Sequence, residues 1–232
     1  MVKLRINRSH LTAAFWSAVL EGSAFTLHTI ISELQDQHRL LEAGRRRADV
    51  NTGSVSFASS VCIAAAAAYF QPRLVCEVGT FLGRSTFSLL RGVASAGANP
   101  PAIHSCDFSN DIPLQFEGSE RVTQYPRKSS TEMFASLVAD SLIPDLYFID
   151  GRLGTADAEL LQKLQAEKAL IFLDDFVGVE KGVSNAMLIQ QAFPENFLLA
   201  YPCPEAMLTS FGICDSSVVA ALIPAKNTVF VN

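Results

Sequence analysis

Short apolar runs alternate with helical stretches from residue 73 onward, and this alternation limits the possible folds more than any other feature of the chain. The runs that predict strands lie at 74–78, 102–106, 145–149 and 169–173. The stretches that predict helices begin at about residue 85 and continue at 130–142, 155–166 and 180–192. Strands that are apolar on both faces need helices on both sides, so the pattern indicates an α/β fold with a parallel sheet.

The C-terminal part of the chain adds further strands to this predicted sheet. Three strand-like runs lie near residues 197–201, 217–223 and 228–231. Their close spacing leaves little room for crossover helices, and it therefore allows an antiparallel pair at the sheet edge.

The N-terminal part of the chain predicts helices up to about residue 50. Leu27, Ile30 and Leu34 follow the spacing of one helix face, and Gly22 is the expected break between two helices. Residues 59–69 are rich in alanine and apolar almost all round, which predicts a buried helix.

Composition and charge exclude several classes of protein. Of the 232 residues, 49% are hydrophobic and 18% charged, which suits one large core and excludes a disordered chain. The net charge of −5 and a single basic cluster at 45–47 argue against nucleic acid as the main partner. The longest apolar run, 61–70, is too short to span a membrane.

The cysteines and the first residues indicate a cytoplasmic protein. Five widely spaced cysteines include no C-x-x-C pair, so we expect free thiols in a reducing compartment and no zinc site. Lys3, Arg5 and Arg8 precede an apolar stretch at 11–20, which faintly resembles a signal peptide. That stretch continues as an amphipathic helix, and we therefore expect a mature cytosolic N-terminus.

The sharpest local motif is EVGTFLGRS at residues 77–85, between a predicted strand and a predicted helix. Glycines let a ligand approach the backbone closely, and a helix start offers free N–H groups. The spacing fits neither the dinucleotide motif GxGxxG nor a P-loop. Glu77 would suit a ligand that carries an ammonium or sulfonium group. The alternative is a plain turn whose glycines only shorten the corner.

A second motif follows the next predicted strand. Asp107 ends that strand, where an acid in a βαβ unit accepts hydrogen bonds from ribose hydroxyls. Phe108 follows it and is placed to pack on a base. Asp107 as a simple turn cap is the less favoured alternative.

The run Glu-x-Gly-x-x-x-Gly-x-Ser after a strand resembles motif I of class I S-adenosylmethionine (SAM)-dependent methyltransferases, and Asp107 matches their ribose acid. The resemblance covers about residues 50–232 and is closest to the catechol O-methyltransferase-like and cephalosporin-hydroxylase-like branches. It implies a Rossmann-like, doubly wound, seven-stranded sheet, mostly parallel with an antiparallel last strand. It also implies an N-terminal helical cap or oligomerisation segment at 1–50 and a methyltransferase domain at 51–232.

The resemblance also assigns residues to SAM. Those implied for the methionine part are Glu77, Gly79, Thr80, Gly83 and Ser85. Asp107 would bind the ribose and Phe108 the base, with Asp150 completing the set. Ser129 and Ser130 stand where the family often contacts adenine, although Ser-Ser before a helix is also a common cap.

Three carboxylates form the third feature of the sequence. Asp150 ends one predicted strand, and Asp174 and Asp175 end another. If the strands are neighbours, the acids converge at one edge of the sheet and repel each other unless a cation lies among them. A divalent ion with oxygen ligands is the natural partner, with Mg²⁺ the first candidate, and in the resembling enzymes acids here hold a metal. The alternatives are turn caps or metal-free substrate binding.

The usual general base of the resembling enzymes is missing. Leu153 stands where the catechol enzymes carry a lysine and many relatives a histidine. Lys181 is a conceivable substitute, with a surface lysine as the alternative, and Arg152 is placed either to steer an anionic substrate or to form a surface salt bridge. His104 lies inside a predicted strand and is expected to be structural.

These features predict a SAM-dependent methyltransferase that acts on a hydroxyl of a small molecule, with Asp150, Asp174 and Lys181 as catalytic residues. A divalent metal at the acids would assist by acidifying the hydroxyl. We expect a homo-oligomer with no membrane or nucleic-acid partner. Two alternatives stay open, a catalytically silent methyltransferase-like binding domain and a nicotinamide-dependent oxidoreductase.

Overall fold

The computed structural model describes residues 8–47, 53–109 and 113–226. The helices are α1 (Arg8–Gly22), α2 (Ala24–Ala43), α3 (Phe57–Phe70), α4 (Arg84–Ser95), α5 (Ser130–Ala139), α6 (Thr155–Lys163), α7 (Lys181–Ala192) and α8 (Glu205–Thr209). The strands are β1 (Leu74–Val78), β2 (Ala102–Asp107), β3 (Val122–Pro126), β4 (Leu146–Ile149), β5 (Leu170–Leu173), β6 (Phe197–Ala200) and β7 (Ala220–Pro224).

The strands form one seven-stranded sheet in the order β3-β2-β1-β4-β5-β7-β6. Strands β1 to β5 pair in parallel, while β7 runs antiparallel to both of its neighbours, β5 and β6. The predicted Rossmann-like sheet with a reversed last strand is therefore confirmed, as is the antiparallel pair at the edge. The run predicted at 228–231 lies outside the described residues.

The sheet is buried on both faces, as its continuous apolar runs predict. All residues of β4 and β5 are buried, and separate apolar clusters fill the two faces. One cluster contains Phe148 and Phe172, and the other contains Tyr147 and Ile171. Successive residues of each strand thus point into opposite helical layers.

The N-terminal helices pack into the same core as the sheet. Helix α1 ends at Gly22, the glycine expected to separate two helices, and α2 begins two residues later at Ala24. Trp16 in α1 is fully buried, its ring centroid lies 6.2 Å from that of Phe172, and its Nε1 donates to the Tyr201 carbonyl at 2.7 Å. The division at residue 50 stays a prediction. No described helix is long and apolar enough to cross a membrane.

The packing of α3 against α4 depends on a glycine. Helix α3 is the predicted alanine-rich helix, and its residues 58–68 are all buried. A Cβ placed on Gly92 of α4 would lie 2.2 Å from the Ala64 carbonyl oxygen and 3.0 Å from the Ala67 Cβ. The backbones of α3 and α4 therefore approach each other only because Gly92 has no side chain.

Replacing Gly92 with alanine should lower the free energy of unfolding by about 2 kcal/mol or more, because overpacking outweighs the gain in helix propensity. Gly44→Ala is the matched control, since a Cβ at Gly44 meets no atom within 4 Å. Urea denaturation of both variants tests the prediction. Equal midpoints for the two would contradict it.

Candidate active site

A cavity of about 230 Å³ lies at the carboxyl ends of β1, β2 and β4, the edge where open α/β sheets bind ligands. Its walls come from residues 78–79, 106–109 and 150–152 after these strands, together with Lys181 at the start of α7. The parallel pairing of β1 with both β2 and β4 brings these segments together.

The turn after β1 has the close geometry that its glycines predict. Gly79 and Gly83 have φ angles of +102° and +79°, which L side chains rarely adopt. A Cβ on Gly79 would lie 3.1 Å from the Asp150 Cβ, and one on Gly83 would lie 2.5 Å from the Leu114 Cδ2. Gly79 therefore lets backbone form the cavity wall beside Asp150.

Glu77 is fully buried beneath this turn. Its carboxylate accepts hydrogen bonds from the hydroxyls of Ser85 at 2.6 Å, Thr86 at 2.7 Å and Ser105 at 2.6 Å. These donors belong to α4 and β2, so one carboxylate connects three elements. Burial raises the pKa of Glu77 to about 7, although the three hydroxyls act to lower it.

Asp107 supports the turn from the other side. Its Oδ2 accepts from the Phe81 N–H and its Oδ1 from the Ser109 N–H, each at 2.7 Å. A carboxylate offers about four lone-pair sites, so acceptor capacity remains for ribose hydroxyls. Phe108 beside it is 73% exposed at the cavity wall, where its ring is open to stack on a base.

The two serines before α5 have different positions. Ser129 caps the helix, because its Oγ accepts from the Glu132 N–H while the Glu132 side chain accepts from the Ser129 N–H. Ser130 is buried and lines the cavity. The structure therefore favours the cap interpretation for Ser129 and leaves Ser130 as the candidate contact for adenine.

The residues predicted to bind SAM thus divide into two groups. Those at the cavity wall are Gly79, Asp107, Phe108, Ser130 and Asp150. The others support the wall from behind or beside it: Glu77, Thr80, Gly83, Ser85 and Ser129. Thr80, for example, shares a hydrogen bond of 2.5 Å with the Ser105 hydroxyl.

The acids after β4 and β5 are brought together, because Ile149 pairs with Leu173 in neighbouring parallel strands. Lys181 lies between two of them. Its Nζ is 2.6 Å from the Asp150 Oδ1 and 2.9 Å from the Asp175 Oδ2. Its side chain is only 25% exposed, which rules out the alternative of an ordinary surface lysine.

Asp174 is not one of the two acids that pair with the Lys181 ammonium, although it lies close enough to feel their charges. It is 3% exposed, and its Oδ1 has no hydrogen-bond partner among the described residues. Burial raises the pKa of Asp174 to about 7, and burial likewise raises that of Asp150 to about 6 against the opposing charge of Lys181.

The predicted three-acid metal site is not assembled in this arrangement. Among the described residues, no group of three or more His, Cys, Asp or Glu side chains is placed to hold a metal ion. The oxygens of Asp150 and Asp175 converge on an ammonium, and Asp174 does not join them. The residues present therefore do not fit Mg²⁺, because the Lys181 ammonium takes the position between the carboxylates.

The start of α7 is built to bring Lys181 to the acids. Gly182 is the next residue, and a Cβ there would lie 2.3 Å from the Asp174 carbonyl oxygen. Asp175 has a φ of +50°, which is unfavourable for a side chain with a Cβ. Burial acts to lower the pKa of Lys181, but the charges of Asp150 and Asp175 outweigh it and the net shift is upward. A protonated cation fits this site better than the predicted general base.

Several cavity residues carried no strong signal in the sequence. Phe81 has a φ of +40°, lines the cavity and packs under Arg45, whose guanidinium carbon is 5.1 Å from its ring centroid. Lys128 and Arg152 also line the cavity.

Leu153, beside Arg152, stands where a general base was expected, but it donates its backbone N–H to the Asn185 side chain and offers no base. His104 hydrogen-bonds to Tyr125, in agreement with its structural interpretation.

Comparison with known proteins agrees with this geometry. Residues 76–176 match the family model described as a methyltransferase domain. No curated protein sequence matches the chain.

Two solved structures share the fold. An O-methyltransferase from Bacillus cereus, in complex with S-adenosylhomocysteine (SAH), is 13% identical, with a TM-score of 0.55 over 83% of this chain and 90% of that one. The O-methyltransferase of tomaymycin synthesis from Streptomyces achromogenes, in complex with SAM, is 15% identical, with a TM-score of 0.51 over 83% and 87%. The predicted Rossmann-like fold is confirmed, and the methyltransferase-domain match at 76–176 agrees with the resemblance that the motifs indicated.

The raised pKa of Glu77 predicts a dependence of stability on pH. The folded state holds this proton more tightly than the unfolded chain, so the contribution of Glu77 to stability falls as pH rises from 4.5 to about 7. Glu77→Gln lacks this titration. Its unfolding free energy relative to the wild type should therefore rise by about 2–3 kcal/mol between about pH 5 and about pH 7.5.

Denaturant unfolding of both proteins at the two pH values measures this difference. Glu159→Gln, which removes an exposed acid of α6, is the matched control for the loss of one carboxylate. A constant difference between Glu77→Gln and the wild type would mean that Glu77 ionises at its ordinary pKa.

Proposed function

We propose that this chain transfers the methyl group of SAM to a hydroxyl oxygen of a small molecule. The observation that carries the proposal is a single cavity shared by two sets of residues. One set, Gly79, Asp107 and Phe108, suits a nucleoside with a short charged chain. The other set, Asp150 and Lys181, suits a hydroxyl that loses a proton. The methyltransferase domain match at 76–176 supports the same reaction.

The cofactor would lie across the ends of β1 and β2. Asp107 would accept the ribose hydroxyls with its remaining lone pairs, Phe108 would stack on adenine, and Ser130 would contact the base edge. The methionine part would lie along the backbone of Gly79, where no side chain obstructs its approach. Asp150, directly across from Gly79, would attract its positive charges.

Methyl transfer from SAM depends more on aligning the two reactants than on activating the methyl group. A sulfonium is a good methyl donor, so the main contribution of the protein is to place the acceptor oxygen in line with the methyl carbon and sulfur. The acceptor oxygen would lie beside Lys181 and Asp150, where the Asp150 carboxylate takes the hydroxyl proton. No step requires the expected Mg²⁺, which the arrangement of Asp150, Asp174 and Asp175 does not fit.

The remaining expectations concern setting and assembly. The five cysteines are free thiols, four of them buried, which supports a reducing compartment such as the cytoplasm. A homo-oligomer and a small-molecule substrate stay predictions. Sedimentation of the purified chain would test the first, and methyl transfer from labelled SAM to a panel of hydroxylated compounds would test the second.

Binding of SAH should depend on Asp107. Loss of charge-assisted hydrogen bonds to the ribose costs about 1.5–3 kcal/mol, so Asp107→Ala should weaken SAH binding about 10- to 100-fold in calorimetric titration. Asp36→Ala is the control, because Asp36 is a surface acid of α2 that pairs only with Arg39 among the described residues. Its SAH affinity should equal that of the wild type.

The same titration with NAD distinguishes the proposed methyltransferase from a nicotinamide-dependent oxidoreductase. Binding of NAD without SAH would refute the methyltransferase proposal in favour of an oxidoreductase. Binding of SAH without methyl transfer to any compound of the panel would favour a silent binding domain.

A further inference from the structure

The ammonium of Lys181 occupies a position that electrostatics alone would disfavour. Lys181 is the first residue of α7, where the helix dipole is positive and opposes a cation. Its side chain is also three-quarters buried, which costs a charged group its hydration. Two short ion pairs, to Asp150 and Asp175, offset both costs.

The local backbone accepts strain to keep this arrangement. Asp175 adopts a left-handed conformation, and Gly182 allows α7 to begin against the backbone of Asp174. Strain of this kind persists where the surrounding structure enforces it, most often at functional sites. Here the strained segment places Lys181 in the wall of the cavity.

We propose that the Lys181 ammonium permanently replaces a divalent cation at this acid cluster, binds the acceptor oxygen directly, and makes the reaction independent of metal. This inference rests on the proposed methyl transfer and deepens it. The two carboxylates that would otherwise hold a cation instead hold Lys181 Nζ at 2.6 and 2.9 Å, on the wall of the cavity.

The geometry of an ammonium also defines the class of acceptor. An ammonium has three N–H donors, and Asp150 and Asp175 take two of them. One donor remains, and it can bind one oxygen. A divalent metal, in contrast, chelates two neighbouring oxygens. The acceptor is therefore a molecule with a single acidic hydroxyl, such as a phenol or an enol, and needs no second hydroxyl beside it.

The step balances without a further reactant. The acceptor oxygen forms a bond to the methyl carbon, and the electron pair of the broken carbon–sulfur bond stays on sulfur, which gives neutral SAH. The hydroxyl proton passes to the Asp150 carboxylate and then to solvent. Lys181 stays protonated throughout and stabilises the negative charge that develops on the acceptor oxygen.

Titration with Mn²⁺, followed by electron paramagnetic resonance, tests the replacement directly. The wild type with SAH bound should hold no Mn²⁺ at this site at about pH 8, because the ammonium repels it. Lys181→Ala should gain one Mn²⁺ site per chain, because two carboxylates then lack their cation. Its affinity for Mn²⁺ should be at least about tenfold higher than that of any site in the wild type. Lys163→Ala, which removes an exposed lysine of α6, should behave as the wild type.

Each other outcome overturns the proposal. Equal Mn²⁺ binding by the wild type and Lys181→Ala would mean that lysine and metal do not compete. Absence of Mn²⁺ binding in both would mean that these carboxylates attract no cation. A cooperative thermal unfolding transition and a circular dichroism spectrum like that of the wild type show that Lys181→Ala is folded. Failure of the wild type to bind SAH would instead refute the proposed function, independently of the Mn²⁺ result.

A phenol probe tests the contact with the acceptor. 4-Nitrophenol absorbs visible light when ionised, so its titration into the SAH complex reports a bound phenolate. Lys181→Ala should bind the phenolate about tenfold more weakly, the loss expected for one hydrogen bond to a charged group. Equal titrations for variant and wild type, or no phenolate binding by the wild type, would contradict the assignment of the acceptor oxygen to Lys181.

Discussion

The burial of the Glu77 carboxylate is the interaction on which the candidate site depends. An isolated buried carboxylate is costly, and this one is retained because three hydroxyls donate to it. Those donors come from the start of α4 and from β2, so the carboxylate connects β1 to β2 and to α4. The turn at 79–83 is then held at a fixed height above the sheet, with Asp107 bonded to the Phe81 N–H. The result is a wall of backbone at Gly79, opposite Asp150.

The fold class could be predicted because a sheet that is buried on both faces requires strands that are apolar at every position. Runs such as 146–149 and 170–173 are apolar at every position, and this excludes a sheet with one wet face. The carboxyl ends of β1, β2, β4 and β5 were therefore located to within one residue, and with them Asp107, Asp150 and the pair that follows β5, whereas β3 (Val122–Pro126) was not predicted. The order of strands was not visible in the residues themselves, and the expected strand number and reversed last strand came from the resemblance to a family. Strand pairing depends on contacts between distant segments that local spacing does not encode.

The candidate site was predicted less completely, for a physical reason. Three acids were placed at one edge of the sheet, but the direction of their side chains depends on the short loop before α7. The left-handed conformation of Asp175 and the start of α7 at Gly182 bring the Asp175 carboxylate and Lys181 together beside Asp150, and Asp174 is not a partner in that ion pair. The periodic spacing of apolar residues does not predict that an aspartate will adopt a left-handed backbone conformation. The sequence interpretation therefore treated Lys181 as a base or a surface residue, and the acids as ligands of a metal.

A lysine and a divalent metal ion would leave different net charges at the acids after β4 and β5. A divalent ion would neutralise most of the charge of Asp150, Asp174 and Asp175, while one ammonium leaves part of it. In the proposed methyl transfer, that remaining negative charge lies at the cavity and would attract the sulfonium of the methyl donor. After methyl transfer the sulfur is neutral and this attraction is lost. In the proposed methyl transfer, an ammonium in place of a metal would thus favour binding of the charged donor over retention of its neutral product, with a cation that cannot dissociate from the chain.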